Sequence, residues 1–294
     1  MKRILLATDF STRSDRALRR ATLLARQFNA ELILLHVVDD DQPAHLVEVN
    51  RTEAMTLLEE VARTLREVDA IAGKPRIVLG DPFQGIVEVT ERLDADLVVV
   101  GPHRRQVLRD VFAGTTAERT IRYGQRPVLV ANAVPAGPYR SVVLALDFTD
   151  HSAHAAKTAR ELGLLEGAKA TALHVFDPPA QGPILRSGVT MQQFKDYLAE
   201  EEARAKQKLM EFLRKSGLGP MQSVVELAKA STATTINAYA AHAGTDLVVV
   251  GTGGGTGIRK WLLGSVAAEV LAYSDVDVLA VPLPRKEADN EGAG

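Results

Sequence analysis

The sequence predicts an α/β protein made of two tandem doubly wound domains, each carrying a five-stranded parallel sheet. Three observations carry this: an internal repeat, short Val/Ile/Leu runs that hardly alternate, and amphipathic stretches of helical period between them. The 294 residues suit two domains of ordinary size better than one large core.

The repeat consists of four matches in the same order. RILLATD at 3–9 matches RSVVLALD at 140–147, and ELILLHV at 31–37 matches KATALHV at 169–175. ADLVVVG at 95–101 matches TDLVVVG at 245–251, and RPVLVA at 126–131 matches VDVLAV at 276–281. The offset is 138 residues for the first two pairs and 150 for the last two, so the second copy carries 12 extra residues in its middle. The boundary falls in NAVPAGPY, 132–139, where two prolines and a glycine interrupt the pattern. This divides the chain into 1–134, 139–284 and a charged tail, 285–294, expected to be flexible.

In the first copy the runs 3–8, 31–37, 76–79, 96–101 and 127–131 read as parallel strands covered on both faces. Between the first two, Ala17, Leu18, Ala21, Leu24, Ala25 and Phe28 keep the spacing of a helix with one buried face, with Ser11 or Thr12 as candidate caps. A second helix presents Met55, Leu58, Ala62 and Leu65, and its counterpart Phe194, Leu198, Leu209 and Leu213. The apolar runs 128–131 and 278–281 are potential sheet edges. Pairing them across an internal two-fold would cover both and make the chain a pseudo-dimer.

Composition excludes several classes. Charged residues make up 24%, the net charge is -2 and no basic block occurs, which argues against nucleic-acid or anionic-membrane partners. Cysteine is absent, which removes disulfides, thiol chemistry and Cys-ligated zinc. The opening apolar run ends by Asp9 and is too short for a signal core or a span, so the expected location is cytoplasmic.

In doubly wound sheets ligands bind beyond the carboxyl ends of the strands, at the switch point. Asp9 and Asp147 follow the first strand of each copy, and Gly101 and Gly251 follow the fourth. From Gly251 the second copy reads GTGGGTGIRKWLLGSV, in which Gly251, Gly254, Gly264 and Ser265 form Gly-x2-Gly-x9-Gly-Ser. Glycines let backbone N–H groups approach a phosphate, and a helix opening at Gly264-Ser265 favours an anion. A flexible surface turn is the alternative for the stretch taken alone. The dinucleotide and Walker spacings are not met.

With those residues in place, the chain resembles the universal stress proteins over essentially its whole length, twice. The family signature is an Asp after strand 1, a His-Val ending strand 2 and the glycine pattern after strand 4. The resemblance implies strand order 3-2-1-4-5 in each domain. Taken from the ATP-binding members, it implies that Asp147 and Gly251 contact the ribose and that Ala145 and Val175 line the adenine. It further implies that Gly254, Gly264, Ser265 and Val266 hold the phosphates of ATP, with or without Mg2+. In the family, dimers form through the last strand.

The copies differ. The first loop reads GPHRRQVLRDVFAGTT: Gly101, Gly114 and Thr115 remain, Arg104 replaces the middle glycine and Pro102 stiffens the turn. Arg104 is either an alternative phosphate ligand or the mark of a copy that has lost ATP; the second reading is preferred. In the second copy Ala230-Ser231-Thr232 replaces Gly80-Asp81-Pro82, a change at the pocket rim, and Asp277 replaces Pro127.

Other residues have plainer roles. His36 and His174 suit strand-end packing or hydrogen bonding. His151 and His154 form an i, i+3 pair without a third metal ligand and read as solvated. Asp147 suits hydroxyl acceptance better than general-base or Mg2+ duty. Asp150 and Asp177 read as cap and turn residues, Trp261 as packing, and Arg259 and Lys260 as cations near the phosphates or exposed loop residues. Glu200–Glu202 followed by Arg204, Lys206 and Lys208 reads as a charged outer helix face.

The expected function is a non-enzymatic, ATP-binding regulator in stress response with an unidentified protein partner, and a further dimer of tandem chains fits it. One alternative is slow ATP hydrolysis or phosphoryl transfer, onto Ser265 or a nearby hydroxyl. DFSTRSD and DFTDHSA, however, lack the Ser-Gly-Gly-x-Asp-Ser loop of adenylate chemistry. The other alternative is a nucleotide-free scaffold.

Overall fold

The computed structural model describes residues 1–102, 114–178, 190–253 and 263–283. The first repeat runs β1 (Arg3–Ala7), α1 (Ser14–Phe28), β2 (Glu31–Val38), α2 (Ala44–Asp69), β3 (Gly73–Leu79), α3 (Pro82–Arg92), β4 (Leu97–Val100), α4 (Thr116–Tyr123) and β5 (Val128–Val130). The second runs β6 (Ser141–Ala145), α5 (Asp150–Glu161), β7 (Lys169–Phe176), α6 (Met191–Lys215), β8 (Gln222–Leu227), α7 (Thr232–His242), β9 (Leu247–Gly251), α8 (Ser265–Tyr273) and β10 (Asp277–Val281). Most of the additional residues of the second repeat fall between β7 and α6, and the rest between α6 and α7.

All ten strands form one sheet in the order β3-β2-β1-β4-β5-β10-β9-β6-β7-β8. Each half therefore has the order 3-2-1-4-5, and the pairings within each half are parallel. The single antiparallel pairing joins the halves, with Val278 opposite Val130, Leu279 opposite Leu129 and Ala280 opposite Val128. The two apolar edges cover each other, as the repeat implies.

Alternation along the strands distributes the core between two faces. Ile4 and Leu6 face a cluster with Ala17, Ala21 and Leu24 of α1, Leu58 of α2, Ala155 of α5 and Leu209 of α6. Leu5 faces the other cluster, with Ile86 of α3, Ile121 of α4, Ile236 of α7 and Val270 of α8. Both clusters run through both repeats, so the junction has the character of a core. Strand β3 begins earlier than its apolar run suggests and includes Pro75, which an edge strand tolerates because one row of its backbone groups is unpaired.

Two expected caps are corrected. Helix α1 begins at Ser14 with no side-chain cap, because Ser11 donates to Asp9 instead. Thr149, not Asp150, caps α5 by accepting from Ser152 N, and Asp150 is the first helical residue, where its charge suits the dipole. The charged outer face of α6 is as read, with Arg204 paired to Glu200 and Glu201 and Lys206 to Glu202. No described helix is long and apolar enough to cross a membrane.

A buried polar cluster locks the seam. Asp277, fully buried at the start of β10, accepts from Arg20 Nε of α1 at 2.8 Å and from the Tyr139 hydroxyl at 2.7 Å. Its other oxygen accepts from Ala133 N at 3.0 Å. Arg20 also donates to Gly137 O at 2.8 Å, and its guanidinium stacks 4.1 Å from the Tyr139 ring centre. Burial pushes the Asp277 carboxyl above its usual range, and the Arg20 charge and the three donors offset only part of that. Burial, then the Asp277 charge, push the Tyr139 hydroxyl well up, which keeps it a donor.

Removing one member of such a cluster strands the others. Asp277→Ala leaves the Arg20 guanidinium buried without its counter-ion and should cost about 3–5 kcal/mol. Replacing all three with Arg20→Met, Tyr139→Phe and Asp277→Leu should recover most of that. Urea unfolding midpoints of the two proteins check this.

Candidate functional site

The same turn follows the first strand of each repeat. Phe10 and Phe148 have left-handed backbone, φ 57° and 67°, a conformation that costs a bulky residue about 1–3 kcal/mol. Packing offsets the strain: the Phe10 ring lies 4.5 Å from the ring of His36, and the Phe148 ring 4.0 Å from that of His174. Each histidine then holds the turn by donating from Nδ1 to a backbone oxygen at 2.8 Å, Thr8 O for His36 and Leu146 O for His174. Burial lowers the affinity of His174 for a second proton, which suits a neutral ring with the proton on Nδ1. The strand-end role read for this pair is what the structure shows.

The turn presents Asp147 at the mouth of a cleft of about 130 Å3 in the second domain. Apolar walls come from Ala145, Leu173, Val175, Ile236 and Val250, and polar groups from Asp147, Ser152, Thr232 and Ser265. Gly251, Gly253, Gly264 and Val266 complete the rim nearest the glycine loop. Seven of the eight residues named from the sequence, Ala145, Asp147, Val175, Gly251, Gly264, Ser265 and Val266, thus line one space. The eighth, Gly254, lies outside the described residues, as do Arg104, Trp261, Arg259 and Lys260. Thr232 belongs to the replaced tripeptide read as a rim change. Leu146, Ser152, Leu173, Ile236, Val250, Gly253 and Ala267 were not named. Ile236 carried a signal, since it falls one helical turn after Thr232.

Glycine at 251 is required by close packing. A Cβ there would lie 2.9 Å from the backbone carbon and oxygen of His151, and at Gly101 3.0 Å from Arg13 O. The first turn of α5 thus rests on the end of β9, as α1 rests on β4. His151 and His154 are half-buried against these strand ends, not solvated as expected. His154 sits 3.4 Å from Thr158 Oγ1, and burial lowers its proton affinity. No group of three metal-ligating side chains exists among the described residues.

In the first domain the equivalent aspartate is held by its own turn. Asp9 Oδ1 accepts from Ser11 N, Ser11 Oγ and Ser14 Oγ, and Arg13 lies 3.6 Å from Oδ2. Burial pushes the Asp9 carboxyl up, but these hydrogen bonds and the Arg13 charge outweigh it and hold it below the usual value. In the second domain Ser152 Oγ turns to Thr149 O, and only Thr149 donates to the Asp147 carboxylate among the described residues.

The helix starts differ in the same sense. In α4, Thr115 caps by accepting from Glu118 N at 3.1 Å, and the buried Glu118 carboxylate accepts from Gly114 N at 3.1 Å. This resembles a capping box displaced by one residue, since Glu118 accepts from Gly114 N and not from Thr115 N; the Thr115-x-x-Glu118 spacing was not singled out in the sequence. Helix α8 starts at Gly264 with no side-chain cap, and Ala268 stands where Glu118 does. The rim charge also inverts: Asp81 pairs with Arg119 at 3.0 Å, whereas Ser231 donates to Glu269 at 2.6 Å.

The doubly wound fold thus places an aspartate and an open helix start together at the switch point of the second domain, around a candidate ligand cleft. The universal stress protein family model matches residues 1–132 and 138–282, and the chain belongs to that family. Relatives include a universal stress protein of Methanocaldococcus jannaschii, 27% identical over 44% of this chain and 93% of its own length. Universal stress protein A of Escherichia coli is 34% identical over 35% of this chain and 76% of its own. A universal stress protein structure from Archaeoglobus fulgidus covers 95% of this chain and 98% of its own at a TM-score of 0.69 and 19% identity, a likeness of fold.

The close approach at the glycine gives a test. Gly251→Ala should destabilise the protein by about 1–3 kcal/mol, since backbone must move to admit the methyl group. Gly137→Ala, where no atom lies within 4 Å of the new Cβ, should be nearly neutral. Thermal melts of both variants check this.

Proposed function

We propose that the chain is a nucleotide-responsive regulator that binds ATP in its second domain, with the first domain as a structural partner. The observation that carries this is the contrast at the two helix starts. In the first domain Glu118 supplies the anion for α4 from within the chain. In the second, α8 begins at Gly264 with backbone donors free of a side-chain cap, facing the cleft with Ser265. The apolar walls suit a flat base, Asp147 suits ribose hydroxyls, and the Gly264–Val266 end suits phosphates. Gly254 would close the same end. Mg2+ would enter with the triphosphate.

No general base stands in the described lining beyond Asp147, whose place beside the ribose end argues for binding over turnover. We therefore favour a non-enzymatic role, in which occupancy reshapes the glycine loop and a partner-binding surface. A scaffold role for the paired sheet is compatible with this.

Calorimetric titration with ATP and Mg2+ should find one site per chain. Asp147→Ala should weaken binding by about 10-fold or more, as expected on losing hydrogen bonds to a charged group, and Asp9→Ala should leave it unchanged. Ala268→Glu, which copies the Glu118 arrangement, should weaken ATP strongly and adenosine little. Two equivalent sites, or equal sensitivity to Asp9 and Asp147, would contradict the assignment.

A further inference from the structure

His151 carries a buried polar atom that the site described so far does not use. Its Nδ1 is shielded from solvent and has no hydrogen-bond partner among the described residues, an unusual state for a buried nitrogen. It lies against Gly253: a Cβ built on Gly253 would fall 1.8 Å from Nδ1 and 1.9 Å from Cε1. The imidazole thus fills the volume that a side chain at 253 would take. Gly253 also lines the cleft, so Nδ1 stands one backbone thickness from the ligand space.

Among the described residues the lining contains no lysine or arginine, and an anion meets backbone N–H groups and hydroxyls there. The corresponding residue of the first domain is Arg13, whose guanidinium is turned toward Asp9, 3.6 Å away. Among the described residues Asp147 has no such cationic partner. The neighbouring His154 lies beside Thr158, whereas His151 Nδ1 is left unpaired. Burying a ring nitrogen without a partner is unfavourable unless something else in the functional cycle provides one.

We propose that His151 is a ligand-binding residue of the second domain, donating from Nδ1 to a phosphate oxygen of the bound nucleotide. Gly251 and Thr252 are held by β10 and Gly264, so the movement that would bring the two atoms within reach is one of Gly253 away from the ring. The neutral tautomer protonated on Nδ1 suffices, because donation does not need the imidazolium. His151 then distinguishes phosphorylated from unphosphorylated ligands, a selectivity that the apolar walls and Asp147 do not supply. The proposal rests on the nucleotide reading of the cleft.

Its test is a pair of titrations, ATP with Mg2+ and adenosine, on the wild type, His151→Ala and His151→Asn. Urea unfolding of each protein verifies that it is folded. His151→Ala should weaken ATP by about 10-fold and leave adenosine within about 2-fold, since only one charge-assisted hydrogen bond is lost. His151→Asn, whose amide nitrogen can occupy the place of Nδ1, should restore most of the ATP affinity. Equal losses for ATP and adenosine would assign His151 to packing and overturn the proposal, as would an unchanged ATP affinity in His151→Ala. A wild type that binds adenosine and ATP equally would overturn it while leaving the base pocket standing. A wild type that binds neither would overturn the nucleotide reading and the proposal with it.

Discussion

The antiparallel pairing of β5 with β10 is the constraint on which the rest of the molecule depends. Two sheets that would each end in an apolar edge become one sheet of ten strands, and both helical layers share cores that cross the junction. Backbone pairing between Val, Leu and Ala residues gives little specificity by itself. Specificity comes from the Arg20–Asp277–Tyr139 cluster beside the seam, which joins α1, the connector and β10 through fully desolvated groups. A buried charge tolerates no misplacement of its partners. This cluster therefore helps set how the second repeat docks, with the cleft at the ends of β6 and β9, one strand away from β10.

On that shared sheet, the repeats diverged by small changes at equivalent positions. Arg13 corresponds to His151, Glu118 to Ala268, and the Asp81–Arg119 pair to Ser231–Glu269. The carboxylate of Asp9 and the N–H groups at the start of α4 are both answered from within the chain. Among the described residues of the second domain, Asp147 keeps only the two bonds from Thr149 and α8 starts without a side-chain cap.

Much of this was legible in the sequence because it is local or repeated. The parallel strands announced themselves as runs such as Leu97–Val100, and the site residues at strand ends followed from the topology that those runs imply. The anomaly of Asp277 in an apolar strand was visible, but its partner Arg20 lies on an early helix and no periodicity links them. His151 was read as solvated because an i, i+3 pair on a first turn says nothing about what packs over it, here Gly253. The Thr115 and Glu118 spacing announces a cap for α4, but not that the Glu118 carboxylate reaches one residue further, to Gly114 N.

The most direct measurement of the central claim is hydrogen exchange by mass spectrometry, with and without saturating ATP and Mg2+. The account predicts slowed exchange in the second domain alone, at the turn after β6, the start of α7 and the first turn of α8. The equivalent turns after β1 and before α4 should exchange at the same rate in both states. Protection in the first domain of similar size, or none anywhere, would contradict the division of labour between the two copies.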